Sequence, residues 1–364
     1  MNDDRDAGWF AERMPSQDVL AEVLDGELEG LMGIARDRAV ANIQFDPIAK
    51  PDGDKKSADK ALERAVKAAS KLAKDGDKAK LTKADKDALD LFILLVSRPA
   101  IFVRDGKVAE RPDNWPEIRT YENVIPDVIK GVGRIENAAR GGRGTGFRIG
   151  DRRILTNNHV LCSLFGVDLS TWEHSPEVFA ALCKEHNASW KKHKSTQAPY
   201  FELWGEFGSD TSEVVRITRI AGHHLDVDMA VLELDANPKG SLQVPLAKDE
   251  PQATGRVYAL GYPMQDTKKV TPVPIFNRIF GSDPAALGKK RFSPGIITRR
   301  DESSVFTHDA STLAGSSGSA LVDFATRKVV GLHFSGTYDT ANNAVALWKL
   351  TTDPLLVDNG AQFQ

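Results

Sequence analysis

Cysteine is almost missing from this sequence: Cys162 and Cys183 are the only two in 364 residues. That is too few for the disulfide framework of many secreted domains, so both are expected as free thiols. Long apolar runs are missing too. The most apolar stretch, Leu89 to Val96, is too short to span a bilayer, and the acidic start Met1-Asn-Asp-Asp-Arg-Asp lacks the basic, apolar and small-residue regions of a secretory leader. A cytoplasmic protein with no membrane partner is the expectation. Basic charge is not in surplus either: Lys and Arg total 48 against 51 Asp and Glu, a net charge of −3. The two signs are mixed along the chain, which argues against nucleic acid as a partner.

What is present divides into two textures. From Ser16, a capping-type residue, Val19, Leu20, Val23, Leu24, Leu28 and Leu31 recur at helical spacing. A linker rich in Asp, Lys, Pro and Gly is expected from Asp46 to Lys56, then a charged helix from Ala58 to Lys74 with a Leu62, Val66, Ala69, Leu72 stripe. Asp75-Gly76 breaks it, and Thr82 caps a third helix ending near Arg98-Pro99. Residues 1–100 are therefore expected to form a small, mainly helical domain. Ile101 to Val108 then reads as a hairpin, because Asp105-Gly106 suits a two-residue turn with positive φ.

Beyond it, short β-rich runs dominate: Val124 to Ile135, Gly146 to Thr156, Val214 to Ala221, Met229 to Leu234, Arg256 to Leu260, Gly295 to Ile297, Ser304 to Thr307, Ala320 to Val322 and Val329 to Phe334. Many short strands between Gly, Pro and Asp turns indicate barrels or a sandwich. The stretch from Leu164 to Trp204, with a helical patch around Glu177 to His186, reads as an insertion.

Two segments carry chemistry. In Ala314-Gly315-Ser316-Ser317-Gly318-Ser319-Ala320, Ser317 alone has a glycine two residues before and one residue after. Those neighbours permit the tight turn and close substrate approach that a nucleophile needs, whereas Ser316 and Ser319 lack them. In Gly144-Thr-Gly-Phe followed by Ile154-Leu-Thr-Asn-Asn-His-Val, a hairpin runs straight into His159. The cluster His223, His224, Asp226 and Asp228 matches no common metal-ligand spacing, and adjacent histidines on a strand face opposite ways. Cys162 needs only a packing role.

These two segments resemble the general-base and nucleophile segments of trypsin/chymotrypsin-like serine peptidases, in motif style closest to bacterial trypsin-like peptidases and glutamyl endopeptidases. Asp228-Met-Ala-Val-Leu-Glu-Leu resembles the strand supplying the triad Asp, Leu260-Gly-Tyr-Pro the turn opening the second barrel, and Val330-Gly-Leu-His a wall of the specificity pocket. The order His, Asp, Ser fits this clan and not an α/β-hydrolase, which runs Ser, Asp, His and whose Gly-x-Ser-x-Gly motif Ser319 breaks.

The resemblance implies a mainly β fold: a two-barrel peptidase domain at 126–356, barrel one about 126–240 with the insertion at 164–204 and barrel two about 241–350, joined by a hairpin and connector at 101–125 to the helical domain at 1–100. It implies a serine endopeptidase acting on protein or peptide substrates through His159, Asp228 and Ser317, with the N–H groups of Gly315 and Ser317 as oxyanion hole and no metal or organic cofactor. Ser311, at the implied pocket floor, lacks the carboxylate that selects Arg or Lys. Thr312, His333 and Ser335 are the other substrate-binding candidates, pointing to acidic or small, uncharged P1 residues. Ser316 stands where zymogens of this clan place an Asp, so any control by the helical domain is expected to be steric or through a regulatory protein partner. The alternative is a catalytically inactive scaffold serving as a protein-binding module.

Overall fold

The computed structural model describes residues 6–11, 14, 55–192, 198–264, 279–281, 283–300, 302–337 and 341–364. The helix expected from Ser16, and the expected linker up to its last two residues, lie outside them. The chain separates into two compact units, one of Met1–Pro99, Pro112–Pro116 and Lys268–Ser282, the other of Ala100–Arg111, Glu117–Thr267 and Asp283–Gln364.

In the first unit, helices Lys55–Asp75 and Lys83–Ser97 pack on each other, and Ala65, Ala68, Ala69, Leu72, Ala88, Leu89 and Ile93 are buried. Thr82 caps the second helix in a reciprocal box: its Oγ1 accepts from Asp85 N and Asp85 Oδ2 accepts from Thr82 N.

The second unit holds fourteen named strands, β1 to β14. The expected hairpin forms as β1 (Ile101–Arg104) and β2 (Lys107–Val108), with positive φ at Asp105 and Gly106. Six strands close the first barrel in the order β3 (Val132–Glu136), β4 (Gly142–Gly150), β5 (Arg153–Thr156), β8 (Ala230–Leu234), β7 (Glu213–His223) and β6 (Tyr200–Leu203). Ile135, Ile154, Phe201, Leu203, Ile217, Leu232 and Leu234 fill its core. The second barrel runs β11 (Val305–His308), β14 (Ala341–Ala346), β13 (Val329–Thr337), β12 (Ala320–Asp323), β9 (Arg256–Gly261) and β10 (Arg291–Arg300), and a β10–β11 pairing closes it. Val257, Ala259, Ile297, Phe306, Leu321 and Val330 lie in its core, and the β1–β2 hairpin pairs onto the outside of β10. This is the mainly β, two-barrel chymotrypsin-like architecture.

Three elements differ from expectation. Ile125–Ile129, read as the start of a strand, is a helix: Pro126 and Asp127 sit in its first turn, and Ile125, Val128 and Ile129 bury one face at helical spacing. Tyr200–Leu203, assigned to the insertion, is β6, and its pairings with β3 and β7 complete barrel one. The inserted segment instead supplies helices, Pro176–Lys192 the longest, whose Phe179, Cys183 and Trp190 join the barrel core. β14 carried no strand signal, since Ala341-Asn-Asn-Ala-Val-Ala holds a single β-branched residue; pairing with β11 and β13 imposes it.

Candidate active site

Strand β5 ends at Thr156, and the chain turns through Asn157 into helix Asn158–Phe165, whose second residue is His159. Both asparagines are fully buried and hold the loop ahead of β8. Asn157 Nδ2 donates to the Asp228 carbonyl at 2.7 Å, and Asn158 Nδ2 to the His224 carbonyl at 2.7 Å. The loop is thereby fixed with Asp228 under His159. Asp228 Oδ1 accepts from the His159 backbone N–H at 3.1 Å, and Oδ2 lies 2.5 Å from His159 Nδ1. An ionised carboxylate can only accept, so the imidazole proton sits on Nδ1 and the lone pair on Nε2.

Ser317 lies in the turn between Ala310 and β12. Gly315 and Gly318 on either side have φ of +94° and +88°. At Gly318 a Cβ would also come 1.9 Å from the Thr145 carbonyl, so only glycine fits there. The neighbouring hydroxyls turn inward: Ser316 Oγ accepts from Leu313 N at 3.3 Å, and Ser319 Oγ donates to the Ser316 carbonyl at 2.5 Å. The half-buried Ser317 donates to the Phe334 carbonyl at 3.4 Å, and no hydrogen bond joins it to His159 among the described residues. The N–H groups of Gly315 and Ser317 likewise meet no acceptor among the described residues.

Barrel one grips this turn through Thr145 of β4. Its N–H donates to the Ser317 carbonyl at 2.7 Å, its hydroxyl donates to the Gly315 carbonyl at 2.8 Å and accepts from Tyr262 N at 3.1 Å. Its own carbonyl accepts from Thr156 Oγ1 at 2.8 Å. Nothing local in the sequence marks Thr145 for this part, because Gly315, Ser317 and Tyr262 all lie more than 110 residues away.

The expected pocket residues gather beside the turn. His333 of β13 is buried, with Nδ1 3.2 Å from Nε2 of the fully buried His308. Burial pushes His308 down to about 3 and His333 well below the ordinary imidazole range, helped for His333 by His308 and His159. Ser311 is buried, Thr312 Oγ1 donates to Asn342 Oδ1 at 2.7 Å, and exposed Ser335 accepts from Asn343 Nδ2 at 3.1 Å. Asn342 was missed, since it sits on the unsignalled strand β14.

The His223 to Asp228 cluster does not converge. His224 Nε2 lies 3.2 Å from Asp353 and its Nδ1 accepts from Asp226 N, while His223 packs edge-on against Phe179. Cys162 and Cys183 are free and buried, their thiols pushed up to about 11 and about 12 by that burial. No helix among the described residues is long and apolar enough to cross a membrane.

No curated protein matches the chain significantly. Among solved structures, the Rv3671c protease from M. tuberculosis in its active form is 18% identical, covering 71% of this chain and 92% of that one, with a TM-score of 0.39. The serine endoprotease from Yersinia pestis is 18% identical, covering 69% of this chain and 70% of that one, with a TM-score of 0.43. A family model described as a trypsin-like peptidase domain matches residues 144–332, just over half of the chain. On that match and the two closed barrels, the chain belongs to the trypsin-like peptidase family and is a serine protease, a hydrolase.

Proposed function

We propose that this protein is a serine endopeptidase in which Ser317 is the nucleophile, His159 the general base and Asp228 the residue that orients the imidazole. Nε2 of His159 takes the Ser317 proton as the hydroxyl oxygen attacks the scissile carbonyl. The tetrahedral oxyanion is received by the N–H groups of Gly315 and Ser317. Nε2 then returns the proton to the leaving amine, and water hydrolyses the acyl-enzyme by the same steps. Losing one oxyanion donor in such a site typically costs about 3 kcal/mol of transition-state stabilisation.

The observation carrying this reading is the doubly bonded pair of His159 and Asp228, which fixes the tautomer a general base needs. The long bond from Ser317 to Phe334 does not weigh against it, because such contacts tighten onto the base when substrate is seated. Protein or peptide is the substrate class. With Ser311 and Thr312 at the pocket, basic P1 side chains find no carboxylate and polar, non-basic ones are favoured. The free thiols suit a reducing, cytoplasmic compartment, and regulation falls to the helical segment at residues 1–100.

A fluorophosphonate probe tests the nucleophile. The intact protein should label at Ser317, and Ser317→Ala should abolish labelling and proteolysis while leaving the circular dichroism spectrum unchanged. Labelling at the wild-type rate in Ser317→Ala would remove the assignment, and an intact protein that never labels would favour a non-catalytic scaffold.

A further inference from the structure

The connection from β7 to β8 carries Asp228, and the side chain of His224 organises it. His224 Nδ1 faces two backbone donors, the Asp226 N–H at 3.0 Å and the Val227 N–H at 3.2 Å. A backbone N–H can only donate, so Nδ1 keeps its lone pair and the ring proton sits on Nε2. That nitrogen lies 3.2 Å from Asp353 Oδ2, so the proton there faces a carboxylate. The His224 backbone is fixed as well: its N–H donates to the Met229 carbonyl at 2.8 Å, and its carbonyl accepts from Asn158 Nδ2 at 2.7 Å. Asn158, the neighbour of His159, also donates to the Val227 carbonyl at 3.3 Å.

Asp353 is held in turn. It stands just ahead of the short helix Pro354–Val357, where its Oδ1 accepts from Leu355 N at 3.0 Å. Leu355 reaches Gly222 of β7, where a Cβ would come 2.5 Å from its Cδ1. One carboxylate thus serves two donors, the Leu355 N–H and the His224 imidazole. The proposed acyl transfer uses neither residue directly, and the consequence falls on Asp228. Residues 226 and 227 lead straight into it, and its two oxygens must meet the His159 N–H and Nδ1 together, at 3.1 and 2.5 Å. Displacing a catalytic group by about 1 Å can cost on the order of a hundredfold in rate. Tethering the two N–H groups ahead of Asp228 therefore bears on rate rather than on substrate affinity.

We propose that His224 and Asp353 form a second histidine–carboxylate pair that positions the Asp228 loop, so that the helix at Pro354–Val357 helps to set the general base. Both are positioning residues, since they act on His159 only through Asp228. The imidazole suits the task because its two nitrogens face opposite ways: one accepts from the loop while the other reaches Asp353. A short amide side chain accepts from the same two N–H groups but leaves Asp353 without its second donor. The inference rests on Asp228 being the residue that orients His159.

The test compares the full-length protein with His224→Ala, His224→Asn, Asp353→Asn and the double variant His224→Asn/Asp353→Asn. It reads the rate of fluorophosphonate labelling at Ser317, kcat and KM on the best peptide of a degenerate library, and the urea midpoint. His224→Ala should lower kcat and the labelling rate by about tenfold, with little change in KM. His224→Asn should recover much of that loss, because an amide oxygen there accepts from the same two N–H groups. Asp353→Asn leaves one amide oxygen for two donors, so it should slow labelling on its own and add nothing to His224→Asn. Wild-type kcat in His224→Ala, whatever its urea midpoint, overturns the proposal. Equal losses in the alanine and asparagine variants, or an Asp353→Asn cost that is the same in both backgrounds, overturn it too. Asp228→Ala that labels at the wild-type rate, or an intact protein that never labels, instead removes the triad reading and this inference with it.

Discussion

Thr145 makes four hydrogen bonds through its backbone and hydroxyl, and two of them reach the carbonyls of Gly315 and Ser317 in the nucleophile turn. Anchoring those carbonyls orients the peptide planes around the proposed oxyanion donors. Thr145 would touch no substrate atom, so it is a positioning residue. Thr145→Val removes the hydroxyl at nearly constant volume and should lower kcat by roughly tenfold with little change in KM. Thr145→Ser should restore most of the loss, because the donor returns. Equal loss in the serine and valine variants would mean that only packing was disturbed. His159, Asp228 and Ser317 can be proposed from the sequence because each sits in a local motif. Thr145 and Asn342 cannot, since their roles exist only once strands distant in sequence are brought together.

At the level of elements, legibility followed local chemistry. Thr82 and the Asp105-Gly106 turn stated their own structure. β14 and β6 did not: one is built of Ala and Asn, the other is four residues long after a helical insertion, and each is a strand because a barrel needs a sixth member. Strands β11 and β13 also hold the His308–His333 pair, which makes barrel two acid-sensitive. His308 has its folded pKa pushed down to about 3 from 6.5, so as pH falls through 6.5 the unfolded chain binds a proton that the folded one refuses. The contribution of His308 is complete above 6.5 and drains away towards pH 3, by on the order of 5 kcal/mol over the whole window. Urea midpoints should therefore fall between pH 6.5 and 4, and His308→Leu should flatten that decline. An identical slope in wild type and variant would rule out the histidine pair as its source.

The two barrels are tied at the proposed site by Thr145, and the part that the helical unit plays has to be argued from the residues around the nucleophile. Ser316, just before the nucleophile, spends its hydroxyl on Leu313 N and carries no charge, so no ion pair to a freed amino terminus is available to order the turn. On the proposed reading, any influence of residues 1–99 is expected to be steric or through a recruited partner acting at high effective concentration. Their removal also has a structural cost, because Trp115, only 1% exposed, donates to the Ser97 carbonyl at 2.9 Å and lies under Arg98 at 5.4 Å. Exposing that ring should destabilise a chain beginning at Ala100 by about 2 to 3 kcal/mol. Starting there also keeps the β1–β2 hairpin on β10, which a later start would strip away. The shortened chain should still label at Ser317 and cleave the best library peptide, and it should do so equally well with several extra residues ahead of Ala100. Activity confined to the form with one particular free amino terminus, and lost on extending it, would show that an insertion mechanism operates after all.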